Sequence, residues 1–431
     1  MRLKISGARV VDPANDVDAS ADVYLADGRV LGIGKAPDGF EAERAVDASG
    51  LVMIPGIVDL RARLREPGAE HKGTIASETR AAARGGITTL CCPPDTDPVI
   101  DTPAVAELIH QRAAASGLAR VEVLGALTRE LDGQNLAEMG ALKQAGCLGV
   151  SNALAPVSDT EVMRRAMEYA ATFGLTVFVH AEDPWLARGR VVHDGAVGTR
   201  LGLAGIPEIA ETIAVARELL LVEQTGTRVH FCHLSTGPAV DMVRDAQSHG
   251  LPVSADVAIH QLFLTERDVD GFDSLSHVRP PARSVDDRAR LRAGVRSGVL
   301  ASVCSDHQPH EQDAKLNPFP ETEPGISALD SLLALVLELV DERELTLTQA
   351  VSALTCGPAA ALGIDRGTLA VGAAADLCLF DPGEQWRLDD ASMLSRGHNT
   401  PFKGRALKGR VCCTVLDGRV VFESPPLARR A

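Results

Sequence analysis

Through the middle of the chain, short apolar runs alternate with longer stretches of amphipathic period. The runs 57–64, 87–92, 121–126, 176–180, 228–233, 253–257 and 300–304 have strand length and carry Val, Ile, Thr and Cys. Between them, residues 74–84, 102–116, 158–173, 208–225, 239–249 and 286–297 predict helices. A threonine cap with proline in the first turn marks the start at Thr102, and Gly85-Gly86 closes the helix before it. Strands alternating with helices predict a parallel sheet with helices outside. The strand count approaches eight, so the predicted fold is α/β, a (β/α)8 barrel over residues 55–364.

The two ends have a different pattern. Residues 3–11, 21–25 and 29–33 at one end, and 375–380 and 409–422 at the other, are short strands without intervening helices. Asp27-Gly28 and Asp417-Gly418 are hairpin turn signals. The ends together predict one small β-sandwich domain, residues 1–54 with 365–431.

The 431 residues, 45% hydrophobic, suffice for one large core and a smaller one. A net charge of -15 argues against nucleic-acid or anionic-membrane partners. No apolar run reaches membrane-spanning length and the N-terminus does not read as a signal peptide. Nine cysteines without a C-x-x-C pair fit a thiol-bearing cytoplasmic protein.

Barrels of this type place their chemistry at the C-terminal ends of the strands. Arg61, Arg63, Asp95, His180, His233 and Asp306 fall there. Arg61, Arg63 and Arg65 are two apart on the predicted strand and so point the same way, a same-face row at the barrel mouth.

The stretch Asp59-Leu-Arg-Ala-Arg-Leu-Arg-Glu-Pro-Gly68 resembles the first barrel strand of the dihydroorotases, in the cyclic amidohydrolase superfamily. That family has zinc-binding histidines at the positions of Arg61 and Arg63. A guanidinium has no lone pair to offer a metal and stays protonated. The resemblance continues in Phe178-Val-His-Ala-Glu-Asp183, in Val229-His-Phe-Cys-His-Leu-Ser-Thr236 and in Cys304-Ser-Asp-His-Gln-Pro-His310. It implies that His180, His233 and Asp306 descend from metal ligands, Asp306 being also the proton carrier. The bridging carboxylate of the family falls in Ser151-Asn-Ala-Leu154, where Asn152 replaces it.

Four further positions match the family's substrate contacts: Arg65, Asp95, Arg279 and His310. Arg65 matches the arginine that receives the substrate carboxylate. Asp95 stands where the family has an asparagine, and a carboxylate about 4 Å from the substrate's would repel it by roughly 4 kcal/mol. Arg279 also replaces an asparagine. The runs 201–211 and 399–402 keep the family's pattern.

Three readings follow. The resemblance is strongest to non-catalytic dihydroorotase-like proteins that act in pyrimidine synthesis as structural partners of aspartate carbamoyltransferase, in a hetero-oligomer. An active amidohydrolase would need three ligands, and His180, His233 and Asp306 make three, so the cofactor expectation is none or at most one zinc. The arginine row alternatively receives a small anion, unless Arg61 or Arg63 pairs with Asp306 or Asp95 and fills the metal position.

Overall fold

In the computed structural model, which describes residues 2–428, strands from both ends of the chain meet in one mixed sheet. The N-terminal strands are β1 (Leu3–Asp12), β2 (Val17–Ala26), β3 (Arg29–Ile33), β4 (Arg44–Asp47) and β5 (Val52–Pro55). β1 is the branch point. Its start pairs with β4, its later residues Arg9 and Val10 with β5, and its other edge with β2. Asp27 and Gly28, with φ of 51° and 75°, make the β2–β3 turn in the left-handed conformation that the Asp-Gly pair predicts.

The barrel follows. β6 (Ile57–Asp59), α1 (Ile75–Arg84), β7 (Ile87–Cys92), α2 (Pro103–Ser116), β8 (Arg120–Ala126), α3 (Met139–Gln144), β9 (Gly149–Ser151), α4 (Thr160–Thr172) and β10 (Thr176–Val179) run in order. An excursion of α5 (Pro184–Ala187), β11 (Val192–His193), α6 (Ala196–Leu201) and β12 (Gly205–Ile206) leads to α7 (Ile209–Thr225). Then come β13 (Val229–Phe231), α8 (Gly237–Ser248), β14 (Val253–Ala258), α9 (Val285–Ser297) and β15 (Ser302–Cys304). Helices α10 (Leu332–Asp341), α11 (Leu347–Leu354) and α12 (Cys356–Leu362) precede β16 (Leu377–Arg387), β17 (Ala406–Leu416) and β18 (Arg419–Glu423).

The eight parallel strands β6–β10 and β13–β15 pair side by side. A parallel bridge between Ala62 and His307 joins the two ends of the row into a barrel. Alternation explains the packing: Cys91 packs with Val58, Leu124, Phe178, Cys232 and Cys304, whereas its neighbours Leu90 and Cys92 pack in the large core that includes the helices.

Several details depart from the sequence reading: the predicted strand 57–64 stops at Asp59 with only a bridge at Ala62 beyond it, and α3 lies where no helix was predicted. β9 is absent from the predicted strands, because three residues within Gly-Cys-Leu-Gly-Val-Ser-Asn are too few to show a period. Thr102 precedes α2 without a side-chain cap, so Pro103 alone marks that start; Thr74 does cap α1, through Ser77.

The terminal sheet has its own apolar core and joins the barrel at β5–β6. Gly56 makes the junction, donating its N–H to the Asp376 carbonyl at 2.9 Å. A Cβ at Gly56 would lie 2.2 Å from Thr88 Oγ1, so no larger residue fits. Arg120 at the start of β8 clamps both oxygens of Asp376, at 2.6 and 3.2 Å. All nine cysteines are free and eight are buried. Among the described residues no helix is long and apolar enough to cross a membrane.

Candidate functional site

The bridge that closes the barrel also aims the mouth residues. Arg63 N–H donates to the His307 carbonyl at 2.9 Å and His307 N–H to the Arg61 carbonyl at 3.2 Å. Arg61 and Arg63 therefore flank the bridging Ala62 and turn toward the same carboxylate. Arg61 Nε lies 2.9 Å from Asp306 Oδ1, and Arg63 Nη1 lies 3.6 Å from the same oxygen. Arg63 Nε also donates to Asp95 Oδ2 at 2.8 Å. Arg61, Arg63 and Asp306 are buried, at 4%, 5% and 1% exposure.

Two guanidinium groups and two carboxylates thus compensate one another where water is scarce. The Arg61–Asp306 contact is close but not aligned for a hydrogen bond, and Arg61 Nε and Nη2 have no aligned acceptor. Burial pulls the Arg61 guanidinium toward neutrality, and the negative groups around it, Asp306 first and Asp95 among them, together more than reverse this. Burial likewise pushes Asp95 up, and Arg63 and Arg61 outweigh it, so its carboxyl stays below the usual range.

Arg65 does not join this row. Its φ of 64° turns the chain out of the strand. Its Nε donates to the Pro309 carbonyl at 3.0 Å and its Nη2 lies 3.1 Å from His310 Nε2. A cavity of about 120 Å³ lies between Arg63, Arg65 and Asp95. Because Asp95 is matched by Arg63, the repulsion expected of it toward an anion is largely cancelled.

His180 and His233 follow β10 and β13 with rings stacked at 4.9 Å and 17°. Burial and the Arg61 charge lower both pKa values. His233 has no partner on either ring nitrogen, and His180 none on Nε2. His180 Nε2 is 3.7 Å from Glu182. Arg279 grips Glu182 through Nη2 and through Nε at 3.3 Å. Burial raises Glu182, but His180 and Arg279 outweigh it and hold the carboxyl at about 2. Arg279 is therefore committed to a carboxylate of the protein itself.

The sequence reading missed His260. It lies two residues beyond β14, 1% exposed, with both ring nitrogens unpartnered and its pKa brought down to about 4 by burial. Its place just past a strand end was the available signal.

The loops around the mouth are pinned by residues of the two runs that keep the family pattern. Glu211 accepts from the N–H and hydroxyl groups of both Ser235 and Thr236, fixing the turn after His233. Asn399 accepts from His310 N–H at 2.8 Å and donates to the carbonyls of Gln308 and Gly325.

A pair of metal ions does not fit these residues. Asn152 Oδ1 accepts from Thr128 N–H at 3.2 Å and its hydroxyl at 2.9 Å, while Nδ2 donates to the Ala155 and Leu131 carbonyls. No lone pair there faces a metal, and Arg61 and Arg63 carry positive charge to Asp306. The ligand atoms of His180, His233 and Asp306 do not gather within 4.8 Å of one another. Among the described residues His230, Cys232 and Asp256 do. Both His230 nitrogens are already engaged, with Asp256 Oδ2 and Ser254 Oγ, each at 2.8 Å.

Residues 50–238 match a family model described as dihydro-orotase-like, and residues 331–422 one described as an amidohydrolase family. A dihydroorotase-like protein of Pseudomonas aeruginosa is 50% identical over 429 residues, covering 98% of this chain and 100% of that protein. A dihydroorotase of Geobacter sp. (strain M21) is 44% identical over 424 residues, covering 98% and 100%. Among solved structures, an L-hydantoinase (dihydropyrimidinase) from Arthrobacter aurescens superposes with a TM-score of 0.87 at 25% identity, covering 98% of this chain and 96% of that one.

Proposed function

The chain belongs to the dihydroorotase-like family of the amidohydrolase superfamily, and from that premise we propose that it does not hydrolyse dihydroorotate and serves as the structural partner of aspartate carbamoyltransferase. The observation that carries the first half is the Arg61–Asp306–Arg63 contact. Amide hydrolysis on this fold needs a metal-activated water and a group to move its proton. Here the aspartate that would carry the proton is bound by two permanent cations, and the residue in the bridging position is an amide. What supports the second half is the contrast between a changed mouth and an intact frame, together with the family resemblance of the whole chain.

The test is to produce the transferase with and without this chain. We expect co-elution in one hetero-oligomer and full carbamoyltransferase activity only in the joint preparation. A transferase that assembles and works equally well alone refutes the partnership.

A second reading, a hydrolase with one zinc, draws support from the unpartnered nitrogens of His180 and His233. Those residues with Asp306 would hold the ion, which would supply an activated water. For that, Asp306 must leave Arg61. Elemental analysis after dialysis decides: one tightly held zinc per chain favours this reading, and none favours the first. The anion-binding reading loses ground because Arg63 already holds Asp95 and Arg65 already meets Pro309 and His310.

A further inference from the structure

The cavity of about 120 Å³ beside the mouth has Arg63, Arg65, Pro67, Cys92 and Asp95 in its lining. Its polar atoms are unevenly matched. Arg63 is 5% exposed, and its Nη1 and Nη2 have no aligned acceptor. Asp95 turns Oδ2 to Arg63 Nε, and its Oδ1 is buried without a partner. The other carboxylate in the lining, Asp97, is exposed, so water screens it.

Arg65 is the surplus cation. Arg61 and Arg63 have Asp306 and Asp95 beside them, whereas among the described residues no carboxylate pairs with Arg65. Its contact with His310 is not one the ring can return. His310 Nε2 also lies 3.0 Å from the Pro324 carbonyl, and Nδ1 lies 3.3 Å from Lys72 Nζ. Lys72 in turn holds Glu323 at 2.5 Å. A ring with its proton on Nε2 serves both neighbours, donating to Pro324 and accepting from Lys72. Nε2 then has no lone pair for Arg65, whose fork is left with the Pro309 carbonyl alone. Burial and the Arg63 charge bring the Arg65 guanidinium down to about 10, as for a cation that lacks a counter-ion.

We propose that this cavity binds an acidic α-amino acid, with its ammonium group on Asp95 Oδ1 and its two carboxylates on Arg65 and on the free donors of Arg63. The lining offers two guanidinium forks and one carboxylate oxygen, and the complement of that set is two carboxylates and one ammonium. Such a ligand carries one net negative charge, which balances the surplus cation. A simple anion answers the arginines and leaves Asp95 Oδ1 facing it unpaired. Asp95 stands where the family pattern has an asparagine, and of the two side chains only the carboxylate favours a charged amine. The size agrees. A water needs about 15 Å³ of such space, so the cavity takes a solute of roughly eight heavy atoms, close to the size of aspartate.

The site rests on the ion-pair cluster that the function proposed above assumes at the mouth. Calorimetric titration of the full chain, dialysed against a chelator, tests it. L-Aspartate binds with a Kd on the order of 1 mM or tighter. Succinate, the same skeleton without the amine, binds at least about tenfold more weakly. Asp95→Asn abolishes that preference, so that succinate binds as well as aspartate or better. Arg65→Gln weakens aspartate at least about tenfold. If Asp95→Asn does not fold, the preference of the wild-type chain for aspartate over succinate decides alone. A metal-free wild-type chain that takes up no aspartate at about 10 mM, or that binds succinate as tightly as aspartate, overturns the inference and leaves the proposed function standing. Zinc recovered from the chain before the chelator step counts against that function instead.

Discussion

Two arginine–aspartate sites in this molecule invite comparison, one at the barrel mouth and one at the opposite end. At the seam with the terminal sheet, Arg120 takes both oxygens of Asp376 in aligned hydrogen bonds, and Asp376 also accepts from Asp417 N–H at 2.8 Å. At the mouth, Arg61 approaches Asp306 closely without alignment, and several of its donors find no acceptor. The seam has the fork geometry that gives an arginine pair its strength and direction. The mouth has balanced charge without that geometry. The difference fits a joint shaped as an ion pair on one side, and on the other a carboxylate pocket into which arginines have entered.

The largest expected effect separates the two sites. Arg61→Ala leaves Asp306, 1% exposed, with Arg63 as its single cation at 3.6 Å, and is expected to cost about 3–5 kcal/mol in denaturant unfolding. Arg120→Ala leaves a carboxylate that still accepts from Asp417 N–H and keeps the Arg366 guanidinium 3.4 Å away, and is expected to cost about 1–3 kcal/mol.

Removing both partners sharpens the contrast. Arg61→Met with Asp306→Asn is expected to return to within about 1 kcal/mol of the wild type, because an ill-aligned buried pair offsets little more than its own desolvation. Asparagine is chosen because Asp306 has φ of 45°, which leucine would strain. Arg120→Met with Asp376→Leu is expected to stay about 1–3 kcal/mol below the wild type, since it orphans the Asp417 N–H. Equal recovery at both sites would remove the distinction.

A smaller effect concerns pH. Burial holds His260 and His277, in the loops over the mouth, down at about 4. The folded state then binds fewer protons than the unfolded one between pH 6.5 and about 4. The stability these histidines contribute is full above pH 6.5 and is lost as pH falls through about 4. Asp59 runs the other way: burial pushes it up to about 6, so its cost is full above that pH and is relieved on acidification. These two histidines, with His180, His233 and His310 lowered by burial in the same direction, outweigh Asp59 and predict a net loss of stability from pH 6.5 to 4. Asp59→Asn should steepen the loss, and hydrogen exchange should open the mouth loops before the seam, which has no such groups. A stability that is flat or rises over this range would contradict the assignment.

Much of this contrast was legible in the sequence. Seven barrel strands showed as apolar runs, and β9 did not because it is three residues long. The exchange of histidine for Arg61 and Arg63 marked the altered mouth, and matched runs marked the frame that Glu211 and Asn399 pin. The direction of Arg65 was not legible, because the period of a strand fails where the backbone turns left-handed. Neither was the commitment of Arg279 to Glu182, which are 97 positions apart in the chain and meet only through the fold. His260 escaped because a single histidine after a strand looks like any packed histidine.

The central claim is that the mouth has exchanged a metal centre for an ion-pair cluster. Turnover of dihydroorotate by the pure chain in zinc-supplemented buffer, alone and with the transferase, tests it most directly. The account predicts no turnover above the uncatalysed rate in either preparation. Turnover on the order of 10 per second, abolished by His233→Ala, would contradict it.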